Sequence, residues 1–253
     1  RRFTLSEMEQ EILYVTGFNA SGKTTLGEQI ASTHKDWHCI DGDEFVNNDP
    51  QLFEQMKAAG SPVMDLMRGT FGNENVIEEV KLHDAEVFTA WEPFYRALFE
   101  KLKQVPQNKI VFVYHCWRLW IVDVLREYFP TSKIVEVQVA RSVLLKRFVE
   151  RQAKNGVDHE ALWRDDQREQ IAMLREKYGP EYRGNEENYK KFCEWRYFFY
   201  REPIIEGPNI FFINNDDFDG AQQLEQILNL TAESEDVKAA VETGEPVPDV
   251  ITP

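Results

Sequence analysis

The sequence predicts an α/β fold of three layers, α/β/α, built around a five-stranded parallel sheet with helical insertions. Three observations predict it. Short runs rich in β-branched and aromatic residues recur along the chain, and the segments between them carry helical spacing. The runs themselves are apolar almost throughout, the pattern of strands covered on both faces. Hydrophobic residues make up 42% of the 253 and aromatics 13%, a globular composition that can bury a core.

The elements follow in order. ILYVTG (12–17) reads as the first strand, and a helical pattern resumes near Lys23. WHCI (37–40) is the second strand and runs directly into Asp41-Gly42-Asp43-Glu44. KIVFVYH (109–115), KIVEVQVA (133–140) and NIFFIN (209–214) are the third, fourth and fifth. One helix fits between the first two strands, whereas 48–105 and 141–203 have room for several. Neither long segment contains a competing set of strands, so both read as helical insertions in one domain, 1–230. Segment 231–253 is acidic and dotted with proline, a solvated tail.

A formal net charge of −15 opposes sequence-independent nucleic-acid binding, which needs clustered Lys and Arg. No run of about 18 apolar residues is present, so no membrane span is expected. The Arg-Arg start has no apolar core behind it and does not read as a secretory signal. Cys39, Cys116 and Cys193 show no C-x-x-C spacing, which suggests neither a disulfide framework nor a zinc site and fits a reducing, cytoplasmic setting.

The chemistry concentrates in Gly17-Phe-Asn-Ala-Ser-Gly22-Lys23-Thr24, which satisfies G-x-x-x-x-G-K-[ST] between a strand and a helix. Such a loop wraps its backbone so that N–H groups converge on phosphate oxygens, and the next helix presents its positive end. Gly17, Asn19, Ala20, Ser21, Gly22, Lys23, Thr24 and Thr25 are therefore the expected contacts of a nucleoside triphosphate, taken as ATP. Lys23 is placed to bridge the β- and γ-phosphates, and the Thr24 hydroxyl to hold Mg²⁺. Asp41 and Asp43 follow the second strand on the same rim of the sheet. One can take Mg²⁺ through water while the other accepts a proton from an attacking hydroxyl. A polar turn is the plain alternative.

The phosphate loop and the D-x-D after strand two resemble the shikimate, gluconate and adenylylsulfate kinase group of the phosphate-loop NTPase superfamily. That resemblance implies a sheet of order 2-3-1-4-5 and an ATP-dependent kinase. It also implies Asp41 at the metal and Asp43 as the group meeting the acceptor hydroxyl. MKAAGSPVMDLMR (56–68) is similar to the acceptor-binding stretch of gluconate kinases, with Gly60, Pro62, Asp65 and Arg68 in comparable places. RFVERQAKNGVDHEALWRDDQ (147–167) is similar to the arginine-bearing lid of the group. Gluconate kinases carry His-Pro soon after the aspartate pair, whereas this chain has Phe45-Val46-Asn47.

From the resemblance, Arg147 and Arg151 are expected to close over the phosphates, and Arg164 to reach the substrate. Their i, i+4 spacing puts Arg147 and Arg151 on one helix face, where a solvated salt-bridged helix is the alternative. His115 and Arg118, after strand three, are candidate acceptor contacts from the catalytic rim. Segment 48–105 is the expected acceptor-binding insertion, although its stripe Phe88, Trp91, Tyr95, Leu98 reads first as core. Asn214-Asn215-Asp216 is expected to border the adenine base, as in similar kinases. The expected partner is a small sugar-acid or polyol-like acceptor, with no nucleic acid and no membrane. A nucleoside or nucleotide kinase and a nucleotide-gated regulatory module stay open, though no guanine-specifying N-K-x-D string occurs.

Overall fold

Alternation along Glu11–Gly17 (β1) sends Leu13 and Val15 into one layer and Ile12 and Tyr14 into the other, each at most 1% exposed. The computed structural model describes residues 10–69, 84–116, 118–154, 207–217 and 220–228. In it β1 is central to a five-stranded, all-parallel sheet of order β2-β3-β1-β4-β5. The other strands are β2 (His38–Asp41), β3 (Lys109–Val113), β4 (Lys133–Gln138) and β5 (Ile210–Asn214). Val15 pairs with Val113 on one side and Val135 on the other. With β1 between β3 and β4, the strand order reverses at the sheet centre, where carboxyl-terminal loops open a crevice.

The described helices are α1 (Lys23–Thr33), α2 (Gly42–Asn47), α3 (Pro50–Gly69), α4 (Asp84–Lys103), α5 (Trp120–Tyr128) and α6 (Arg141–Lys154). A further helix, α7, spans 220–228. Leu26 and Ile30 of α1 and Leu224 of α7 pack on Leu13, Val15 and Val111. On the opposite face Val46, Leu52, Leu98 and Leu125, one from each of α2 to α5, pack on Ile12 and Phe112. Covering both faces explains why the strands lack a polar alternation.

Most of the aromatic stripe of 48–105 joins the core, as its spacing suggests: Tyr95 and Leu98 lie within it and Trp91 packs against it, while Phe88 is half-buried. Tyr95 and Leu98 are fully buried, each worth roughly 2 kcal/mol of transfer free energy. The ring of Phe88 meets Trp120 edge-on at 5.0 Å. Strand ends differ slightly from expectation. β2 begins one residue late because the N–H of Trp37 closes a turn on the carbonyl of His34. β3 ends at Val113: Tyr114 still donates to the carbonyl of Val15, but the Cys116 N–H turns to Thr16 Oγ1 at 2.8 Å. β4 ends at Gln138, whose carbonyl accepts from Asn215, and the Ala140 N–H goes to Asp216 Oδ1. Arg164, Cys193, most of the expected lid and the tail 231–253 lie outside the described residues.

Candidate active site

Between β1 and α1 the loop reverses through two left-handed residues, Ala20 (φ 66) and Gly22 (φ 91). Glycine adopts that region without penalty, whereas holding alanine there costs on the order of 1 kcal/mol. A Cβ at position 22 would stand only 2.6 Å from Nδ2 of Asn215, so close approach forbids a larger residue as firmly as the torsion does. Among the described residues no side chain caps α1, whose N-cap is Gly22, so a capping oxygen does not neutralise its positive end. The buried Ser21 Oγ has no hydrogen-bond partner among the described residues. An uncapped helix start and an unmet hydroxyl fit a phosphate guest. Lys23 folds across the loop, with Nζ 3.4 Å from the carbonyl of Phe18.

Asp41 joins this loop to the second strand. Thr24 Oγ1 donates to Asp41 Oδ2 at 3.2 Å, while Oδ1 accepts the N–H groups of Asp43 (2.9 Å) and Glu44 (3.3 Å) and caps α2. A hydroxyl and a carboxylate side by side are the hard oxygen donors that suit Mg²⁺. Among the described residues no group of three or more His, Cys, Asp or Glu could form a metal cage. Mg²⁺ does not require one, because it keeps waters and binds substrate phosphates.

Asp43 opens the first turn of α2 with its side chain 72% exposed. Loss of hydration between the site walls is the main influence raising its carboxyl above the usual range. Lys23 pulls the other way, and the Asp41 charge adds to the rise. Oδ1 of Asp43 lies 3.9 Å from Nδ1 of His115.

Aromatic residues hold His115 there. Tyr14 OH donates to its carbonyl at 3.0 Å and Tyr95 OH does so at 3.5 Å. Its imidazole lies 4.0 Å from the ring of Tyr114. Burial drives the phenol of Tyr114 far above its ordinary range, with the Asp43 charge adding. The same ring fills the space beside Gly42, where a Cβ would collide with it. Gly42→Ala should therefore destabilise the fold by about 1–3 kcal/mol in urea melts and displace both flanking aspartates. Unchanged stability would mean that Tyr114 moves aside freely. The three supporting tyrosines were not legible as site residues, since strand and helix patterns mark them only as core.

The arginines divide. Arg147 Nη2 donates to the carbonyls of Asn215 (2.7 Å) and Asp216 (2.6 Å), which clamps the loop after β5. Arg151, one turn further along α6, is exposed. Arg118, expected as an acceptor contact after strand three, is 6% exposed. Arg68 falls in the last turn of α3. Asn215, in the loop expected to border adenine, has a buried side chain whose Nδ2 donates to the carbonyl of Ser21.

Cys39, within β2, is pushed up to about 11, chiefly by burial, with the Glu28 and Asp41 charges adding. The thiolate is the reactive form, so alkylation of Cys39 near pH 8 should run about a hundredfold slower in the folded chain than in urea. Peptide mapping of a time course would measure it. Equal rates would remove burial as the cause.

A parallel 2-3-1-4-5 sheet carrying this loop at its first β–α turn defines the phosphate-loop three-layer α/β class. No protein-family model matches the chain, and no curated protein matches its sequence. Among solved structures it is similar to an unliganded sugar kinase from Janibacter sp. HTCC2649, at 15% identity over 87% of this chain and 93% of that one, TM-score 0.44. It is similar to a gluconokinase from Sinorhizobium meliloti 1021, at 17% identity over 88% and 98%, TM-score 0.43. A shikimate kinase from Acinetobacter baumannii in complex with shikimate is similar at 12% identity over 90% and 96%, TM-score 0.41. At such identities and TM-scores these likenesses assign the chain no activity. The chemistry comes from its own loop and carboxylates.

Proposed function

We propose that the chain is an ATP-dependent kinase that transfers the γ-phosphoryl group to a hydroxyl of a small sugar-acid or polyol-like metabolite. The observation that carries this reading is the joining of Thr24 to Asp41 at 3.2 Å, with Asp43 two residues on and near enough to Lys23 for its charge to act on the carboxyl. Backbone N–H groups of the loop and Lys23 hold the phosphate tail. Mg²⁺, when bound at Thr24 and Asp41, would neutralise charge on the β- and γ-phosphates. Asp43 takes the proton of the acceptor hydroxyl as its oxygen attacks the γ-phosphorus and the bond to ADP breaks. His115, 3.9 Å from Asp43, offers a second polar contact to a hydroxyl-bearing acceptor. Arg147 and Arg151 of α6 close over the transferring phosphoryl, and Arg164 reaches the substrate.

A panel of sugar acids, polyols and nucleosides, scored for acceptor-dependent ADP release with MgATP, tests the reading. Turnover confined to nucleosides would replace it with a nucleoside kinase. ATP binding with no acceptor-stimulated turnover across the panel would favour a regulatory NTPase.

A further inference from the structure

The loop after β5 holds a buried polar hub that the transfer chemistry does not use. Asn215, 2% exposed, has every polar group of its side chain engaged by backbone. Its Nδ2 donates to the carbonyl of Ser21 at 2.7 Å, and its Oδ1 accepts the N–H of Gly220 at 3.2 Å. Its own N–H donates to the carbonyl of Gln138 at the end of β4, and its carbonyl accepts from Arg147 of α6. One side chain thus ties the phosphate loop to α7, while its backbone ties the same point to β4 and α6. Ser21 is the residue between left-handed Ala20 and left-handed Gly22. A bond to the Ser21 carbonyl fixes the peptide that joins Ser21 to Gly22, and hence the direction of the Gly22 N–H. Peptide orientation is the property on which a backbone phosphate cradle depends.

We propose that Asn215 is a positioning residue that holds the phosphate loop in its binding shape, instead of a contact to the base. This rests on the nucleotide reading above. The loop holds Ala20 in the left-handed region before any ligand arrives, and a buried amide anchored on the sheet keeps that strained turn from relaxing. Without the anchor the loop samples other peptide orientations, and the ligand has to select the competent one, which weakens binding in proportion.

The test compares Asn215→Ala and Asn215→Ser with wild type by titration with magnesium tripolyphosphate, which has no base, and with MgATP. It is run well below the melting temperature of each protein. Asn215→Ser keeps a small polar group and serves if the alanine variant does not fold. Gln223→Ala is the control, because Gln223 makes two hydrogen bonds to the backbone of Asn214, at the end of β5 next to Asn215, and none is seen to the phosphate loop. The Asn215 variants should bind both ligands about tenfold more weakly, while Gln223→Ala leaves both affinities unchanged even if it melts earlier. A merely structural role would lower the melting temperature of all three variants and leave tripolyphosphate affinity intact, overturning the proposal. Weakened ATP binding with unchanged tripolyphosphate binding would also overturn it and return Asn215 to the base. A wild-type chain that binds neither ligand overturns the nucleotide reading and this inference with it, whereas wild-type-like binding by the Asn215 variants overturns this inference alone.

Discussion

Lys23→Ala is expected to abolish phosphoryl transfer in a chain that still folds. The ammonium lies 3.4 Å from the Phe18 carbonyl, and the residue is half-buried at the first position of α1. Alanine is the better helix former at that position, and the buried face of α1 consists of Leu26, Gly27 and Ile30. The melting temperature should therefore hardly move. Turnover should fall at least a thousandfold, because a charge matched to the transferring phosphoryl in a water-poor site is worth several kcal/mol. Thermal melts paired with a coupled ADP assay check both halves. Activity within tenfold of wild type would place the phosphate tail elsewhere.

Asp43→Asn should separate binding from chemistry. The amide has the shape of the carboxylate, and the backbone N–H of residue 43 still donates to Asp41, so the cap of α2 survives. The pair of Thr24 and Asp41 is untouched. MgATP affinity should change less than about threefold, while kcat falls by roughly 10²–10⁴, the usual worth of a positioned base. Calorimetric titration beside steady-state kinetics makes the comparison. A large loss of MgATP affinity would move Asp43 from the acceptor to the metal, and an unaltered kcat would take it out of the mechanism.

Reading along the chain identified the sheet, the phosphate loop and the aspartate pair because each is a local pattern. Near-continuous apolar runs mean two covered faces, whatever covers them. Gly17 to Thr24 carries its own torsional and chemical requirements within eight consecutive positions. Asp41 ends strand two and so arrives on the rim beside the loop without further information. Strand ends were misplaced by one or two residues, since termination depends on partners far away: Thr16 for Cys116, and Asp216 for Ala140.

Long-range geometry did the rest. The sequence places Arg147 and Arg151 on one helix face but is silent about the two carbonyls that capture Arg147. It marks Tyr14, Tyr95 and Tyr114 as apolar layer residues, not as the frame that sets His115 beside Asp43. It offers Asn215 as a loop residue near a base, whereas the fold turns that side chain inward to Ser21, 194 positions earlier. The division has one physical cause. Backbone torsion, strand burial and helix polarity are set by neighbours in the chain, and a motif records them. Which buried donor meets which carbonyl depends on how the layers close, and that is settled only when residues distant in the chain compete for the same unsatisfied groups.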